Sequence, residues 1–135
     1  MGRSQGGFGT KIHIAADALG NPLRFLLTKG QSHEMSQARD LVNGFHPHAV
    51  IGDKSYDAKD FIDSIKYWGI EPVIPPRSNR KEPRDYDEHR YKERHLVECF
   101  VNKIKHFRRI FSRFDKLAKR YMAFLHFVGA LIWLR

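Results

Sequence analysis

"HAVIGDKSYDAKDFIDSIKYWGIEPVIPP", residues 48–76, is the stretch on which the fold of this chain turns. Its opening run is brief and apolar and ends on Gly52-Asp53. That pattern fits a buried strand in a parallel arrangement, with Asp53 at its C-terminal tip. The spacing then becomes helical: Phe61, Ile62, Ile65 and Trp68 form one apolar face, Asp57 is placed to cap the helix, and Gly69 to stop it. "EPVIPP" follows as a second short strand, limited by Pro72 and Pro75.

Working outward, "TKIHIAADALGNPLRFLLTKG" (10–30) reads as a hairpin. Ile12, Ile14 and Ala16 alternate with Lys11 and His13, as a strand with one buried face requires, and "DALGNP" carries the turn chemistry. Asp17 lies in that turn, where an aspartate usually bonds the backbone. Ser32 is placed to cap a short helix, "HEMSQARDLVN", closed by Gly44. Beyond residue 76, "RSNRKEPRDYDEHR" (77–90) is polar and broken by proline, and reads as a loop and the one plausible linker. A long helix is predicted from about 88 to 111, followed by an apolar C-terminal helix. The order β-β-α-β-α-β-α-α predicts an α/β domain with a mixed sheet flanked by helices.

Composition limits the function. The 135 residues suit one domain, and a net charge of +9 points to a polyanionic partner, nucleic acid first. A single cysteine, Cys99, rules out an internal disulfide and fits a reducing cytoplasm. The N-terminus has no apolar core of a signal peptide. "MAFLHFVGALIWL" (122–134) falls short of the roughly 20 residues a membrane span needs, so no membrane role is expected.

The helix "YKERHLVECFVNKIKHFRRIF" (91–111) carries the chemistry. At about 100° per residue, Tyr91, Arg94, Glu98, Asn102, Lys105 and Arg109 share one sector. Leu96, Phe100, Ile104, Phe107 and Phe111 lie opposite. Glu98 is thus a lone acid on a basic face. It has two readings: a one-turn ion pair with Arg94 or a bond to Asn102, or a metal ligand acting with Asp53. A strand-tip aspartate and a glutamate on a helix against the same sheet can hold magnesium, a hard ion that wants oxygen ligands. Two such ions clamp the attacking and leaving oxygens of a phosphoryl transfer. Arg94 and Lys105 beside the acid would hold the DNA backbone.

These residues resemble a known family. Y-x2-R-x3-E-x6-K, met by Tyr91, Arg94, Glu98 and Lys105, is the signature around the last acid of bacterial insertion-sequence transposases of the DDE type. "GDKSYDA" (52–58) resembles the block around the family's second catalytic aspartate, which carries over to Asp53. "GRSQGGFGTKIHIAADALGNPLRF" (2–25) and "FRRIFSRFDKLAKRYMAFLHFVGALIWL" (107–134) are similar to its glycine-rich hairpin region and its C-terminal helices. The resemblance covers nearly the whole chain. It implies that residues 1–135 are the C-terminal part of an RNase-H-like catalytic domain.

It also implies Asp53 and Glu98 as catalytic acids and metal ligands in a two-metal site for Mg2+ (or Mn2+). Tyr91, Arg94, Lys105 and Arg109 would be DNA contacts. The implied reaction is cleavage of transposon ends by water, leaving a 3′-hydroxyl that attacks target DNA. The partners implied are double-stranded DNA and further copies of the chain, in a bacterial cytoplasm at the nucleoid. The family's first aspartate belongs to a central strand upstream of the glycine-rich block, where this chain opens. The expectation is therefore a sheet lacking its first, central strand, and activity only with an upstream transposase half or within a fused chain. The alternative is a catalytically inactive DNA-binding remnant; a structure-selective nuclease outside transposition is a third reading. The eight histidines have no metal spacing, and Cys99 is expected to pack. The basic run of Arg108, Arg109, Arg113, Lys116, Lys119 and Arg120 is read as a DNA-backbone track.

Overall fold

A computed structural model describes residues 10–30, 32–107 and 118–134. Strand β1 (Thr10–Ala16) pairs antiparallel with β2 (Pro22–Lys29), Thr10 opposite Lys29. Asp17 closes the turn as expected of a turn aspartate. Its Oδ1 accepts from the N–H groups of Leu19 and Asn21, each at 2.9 Å. Gly20 follows at φ 81°, a backbone state that disfavours any residue with a Cβ.

A 3-10 turn (Glu34–Gln37) leads into α1 (Ala38–Val42). Ser32 does not cap it; the turn begins after His33, and no side chain caps it. The short helix is closed from outside instead. Arg24 of β2 donates through Nη1 to the carbonyls of Asp40 (2.5 Å) and Asn43 (2.7 Å). Its guanidinium also lies over the Phe45 ring, 4.5 Å from the centroid. A cation at this end satisfies carbonyls that the last helical turn leaves open.

Strand β3 (Ala49–Ile51), a 3-10 turn (Lys54–Tyr56), α2 (Lys59–Tyr67) and β4 (Glu71–Val73) follow in the order expected. The pair β3–β4 is parallel, with Ile51 opposite Val73. Phe61, Ile62 and Ile65 of α2 are buried against it, whereas Trp68 is 46% exposed and stands off the core. The cap of α2 differs from expectation: Ala58 occupies the position and Asp57 bonds elsewhere. The predicted long helix begins at α3 (Glu88–Tyr91), capped by Asp87, tightens into a 3-10 turn (Lys92–Arg94) and continues as α4 (His95–Lys105). The helix expected to run to 111 ends at Lys105, with His106 and Phe107 already turning out of it; residues 108–111 lie outside the described residues. Helix α5 (Ala118–Trp133) is the apolar C-terminal helix. No helix among the described residues is long and apolar enough to cross a membrane.

The architecture is mixed α/β, but among the described residues the one sheet expected is present as two two-stranded sheets, β1–β2 and β3–β4. Each belongs to its own apolar cluster. Phe25 of β2, Phe100 and Ile104 of α4, and Leu125 and Val128 of α5 form the first. Ala38, Phe61, Ile62, Ile65 and Ile74 form the second. The hairpin also differs from a strand pair with one greasy face. Ile12 and Ile14 pack on the first cluster, while His13 on the other face is 3% exposed and bonds Thr28 Oγ1 through Nε2 at 2.7 Å. Helix α1 covers that second face, so a polar strand residue is buried with a partner.

Candidate functional site

Asp53 stands where the strand pattern put it, just past β3 and half-buried. Its Oδ1 accepts from the Ser55 N–H at 2.8 Å and from the Ser55 hydroxyl. It therefore caps the 3-10 turn that follows, as a short acid at the start of a helical turn does.

Four residues later, Asp57 is the buried acid of this region, with its side chain wholly enclosed. Its Oδ2 accepts from the Arg77 N–H (2.7 Å) and Arg80 Nε (2.9 Å), and its Oδ1 from Arg84 Nη1 (3.0 Å). Arg80 also reaches the Asp57 carbonyl at 3.0 Å, and Arg84 the Ile74 carbonyl at 2.6 Å. Burial alone would raise the Asp57 pKa; the donors from Arg80, the Arg77 N–H and Arg84 outweigh it and bring it down to about 2. Arg77 adds side-chain bonds to the carbonyls of Lys54 (3.3 Å) and Ser55 (3.1 Å), inside the turn that Asp53 caps. The stretch 77–84 is therefore a strap that locks the Asp53 turn, not a linker. Sequence reasoning missed it. No local pattern marked it: in the sequence Asp57 sits among Lys54, Lys59 and Asp60, and Arg77, Arg80 and Arg84 stand beside Glu82 and Asp85.

The second carboxylate lies on α4. Phe100 and Ile104 are buried, Leu96 and Phe107 are half-buried, and Glu98, Asn102 and Lys105 are exposed, so the helix turns the faces that its periodicity assigned. Arg94 Nη2 bonds Glu98 Oε1 at 2.7 Å, one turn apart. The Arg94 guanidinium lies 5.7 Å from the Tyr91 ring centroid, and the Tyr86 ring meets Tyr91 edge-on. Tyr91, Arg94 and Glu98 are thus linked in series, with Lys105 exposed beyond them. Of the two partners considered for Glu98, Arg94 is the one engaged. Asn102 carries no bond to it among the described residues. Cys99 is exposed and not a packing residue. Arg109 and most of the basic run around it fall outside the described residues.

Asp53 stands at the end of β3, whose Val50 packs on the second cluster, and Glu98 on a helix whose apolar face serves the first. Among the described residues, no three carboxylate, imidazole or thiol groups stand together as a metal site. Both acids offer oxygen donors, one exposed and one half-buried, which is the ligand type a hard dication takes.

Residues 2–131 match the family described as "Transposase DDE domain". Over 131 residues the chain is 41% identical to a protein named as the transposase for insertion sequence element IS6501 of Brucella ovis, covering 93% of this chain and 98% of that protein. Over 136 residues it is 30% identical to one named for element IS402 of Burkholderia cepacia, covering 92% of this chain but 62% of the relative. No solved structure matches it.

Proposed function

Since this chain belongs to the bacterial insertion-sequence transposases of the DDE type, we propose that it acts on double-stranded DNA with Asp53 and Glu98 as two of the acids that bind divalent metal. The observation that carries this reading is the exposed series Tyr91–Arg94–Glu98. An ion pair this exposed adds little to stability, so it has no strong structural purpose. Arg94 instead holds the Glu98 carboxylate in one orientation, and the Tyr91 ring holds Arg94.

The proposed reaction is in-line phosphoryl transfer. Water attacks a phosphodiester at a transposon end, a P–O bond forms to its oxygen, and the bond to the departing 3′-oxygen breaks. The freed 3′-hydroxyl then attacks a target phosphate in the same way. A pair of Mg2+ (or Mn2+) ions, when bound, stabilises the charge on the attacking and leaving oxygens. The chain's own residues bind and orient: Arg94, Lys105 and Arg109 meet backbone phosphate, and Tyr91 sets the Arg94 plane.

Two acids are an incomplete ligand set for such ions. We place the remaining aspartate on a strand of an RNase-H-like sheet that would lie between β1–β2 and β3–β4 and pair with both. That strand would come from an upstream transposase half, in one polypeptide or as a partner, and the assembly on DNA would contain several copies. The alternative is an inactive DNA-binding remnant. It is favoured by one observation: both acids already have protein partners, Ser55 and Arg94.

Calorimetric titration with Mn2+ separates the two. In the metal-binding reading, Asp53→Asn and Glu98→Gln each weaken the ion at least tenfold. If, with the upstream strand supplied, both variants bind it as the parent does, the catalytic assignment fails and the remnant stands.

A further inference from the structure

Beside the Asp57 strap lies an open polar concavity lined by Lys59, Arg77, Asn79, Arg80, Lys81 and Glu82. It is separate from the Tyr91–Lys105 column and uses neither proposed metal ligand. Its charges are not self-cancelling. Arg80 is matched by Asp57. Arg77 gives its guanidinium to the carbonyls of Lys54 and Ser55 and forms no ion pair among the described residues. Lys59 and Lys81 are exposed and in no ion pair among the described residues. Three unmatched cations therefore face Glu82 alone.

We propose that Lys59, Arg77 and Lys81 form a second phosphate-contact surface, which carries the backbone of double-stranded DNA across the strap toward Asp53. This rests on the reading of DNA as partner, but not on either acid's binding metal. Two features of the fold support it. The backbone that presents these cations is held before any ligand arrives, because the buried Asp57 holds Arg80 and Arg84 and accepts the Arg77 N–H. A prearranged loop loses less conformational freedom on binding than a mobile one. The surface is also joined to the turn that Asp53 caps, through the Arg77 bonds to Lys54 and Ser55. The concavity is open and polar, which suits a charged strand passing over it and not an enclosed small molecule. The expected contacts neutralise phosphate, so they position DNA without reading its sequence.

The test is fluorescence anisotropy of the full chain with duplexes of unrelated sequence, over a range of NaCl concentrations. Each phosphate contact contributes about 0.9 to the slope of log affinity against log salt. The double variant Lys59→Ala/Lys81→Ala should flatten that slope by about 1.8 and weaken all duplexes alike. Lys29→Ala/Lys103→Ala removes the same charge from exposed positions elsewhere and should change the slope far less. Equal slopes for the two double variants, an unchanged slope in the first, or no DNA binding by the parent would overturn the proposal. So would polyglutamate displacing DNA as well as unlabelled duplex does. Mn2+ titration of the same variants separates the two readings. Parental metal affinity with a flattened slope supports the surface alone, and a parental slope with metal binding lost in Asp53→Asn would leave only the catalytic assignment.

Discussion

Replacing Asp57 by asparagine keeps the side-chain shape and removes one charge from the centre of the strap. A carboxylate that ionises at about 2 in place of its ordinary 3.8 contributes about 2 kcal/mol to the folded state. The substitution also turns an amide N–H toward guanidinium groups, which are donors themselves, and leaves Arg80 and Arg84 without their acid. Breaking one side of a buried pair costs about 3–5 kcal/mol. We expect Asp57→Asn to lose about 3 kcal/mol near neutral pH, a large share of the 5–15 kcal/mol typical of a domain. The sign with pH follows from the direction of the shift. Because the folded pKa lies below the unfolded one, the contribution is complete above 3.8 and disappears as pH falls toward 2. The parent should therefore lose stability through this window, while the variant should not lose that part of it. Urea denaturation followed by circular dichroism at several pH values measures both quantities. A variant within about 1 kcal/mol of the parent near neutrality, or a gap between the two that stays constant from pH 5 to pH 2, would refute the reasoning.

Glu98→Gln should leave stability within about 0.5 kcal/mol of the parent, since its ion pair with Arg94 is exposed; a loss several times larger in the same denaturation assay would make that pair structural. Thr28→Val removes the 2.7 Å bond to the buried His13 and should cost about 1–3 kcal/mol, read as a lower urea midpoint with unchanged slope. Valine at Gly129 is expected to do worse than alanine there. A Cβ at this position already comes within 3.1 Å of Phe25 Cε2 and 3.4 Å of Pro22 Cγ, and overpacking a core costs about 1–3 kcal/mol. Thermal melts of the two variants should rank them in that order.

Much of the chain was legible because neighbours in sequence decide it. The β3–α2–β4 order followed from an apolar run, a helical repeat and two terminators within thirty residues of chain. The hairpin turn followed from Asp17 and Gly20, whose bond and backbone geometry are local. The face of α4 followed from spacing alone, and Phe100 and Glu98 lie on the sides assigned to them. Even the Arg94–Glu98 pair is one turn long, although choosing it over Asn102 required coordinates. What failed was of another kind. His13 alternates as a residue on the outer face of a strand does, yet α1 covers it, and Asp57 stands at a helix-cap position although its partners lie 20 to 27 residues away.

The sequence by itself therefore determined the order of the main elements, the two sides of α4 and the family to which the chain belongs. All of these rest on periodicity and short motifs. Tertiary structure alone decided which charges are spent on holding the fold and which remain for a partner. A buried acid must find donors wherever the chain brings them, and Asp57 takes its own from a polar stretch that reads as a linker. Once those arginines are engaged, Lys59, Arg77 and Lys81 are left as the unmatched cations of the concavity. That assignment depends on desolvation and distance, which no local pattern of residues encodes.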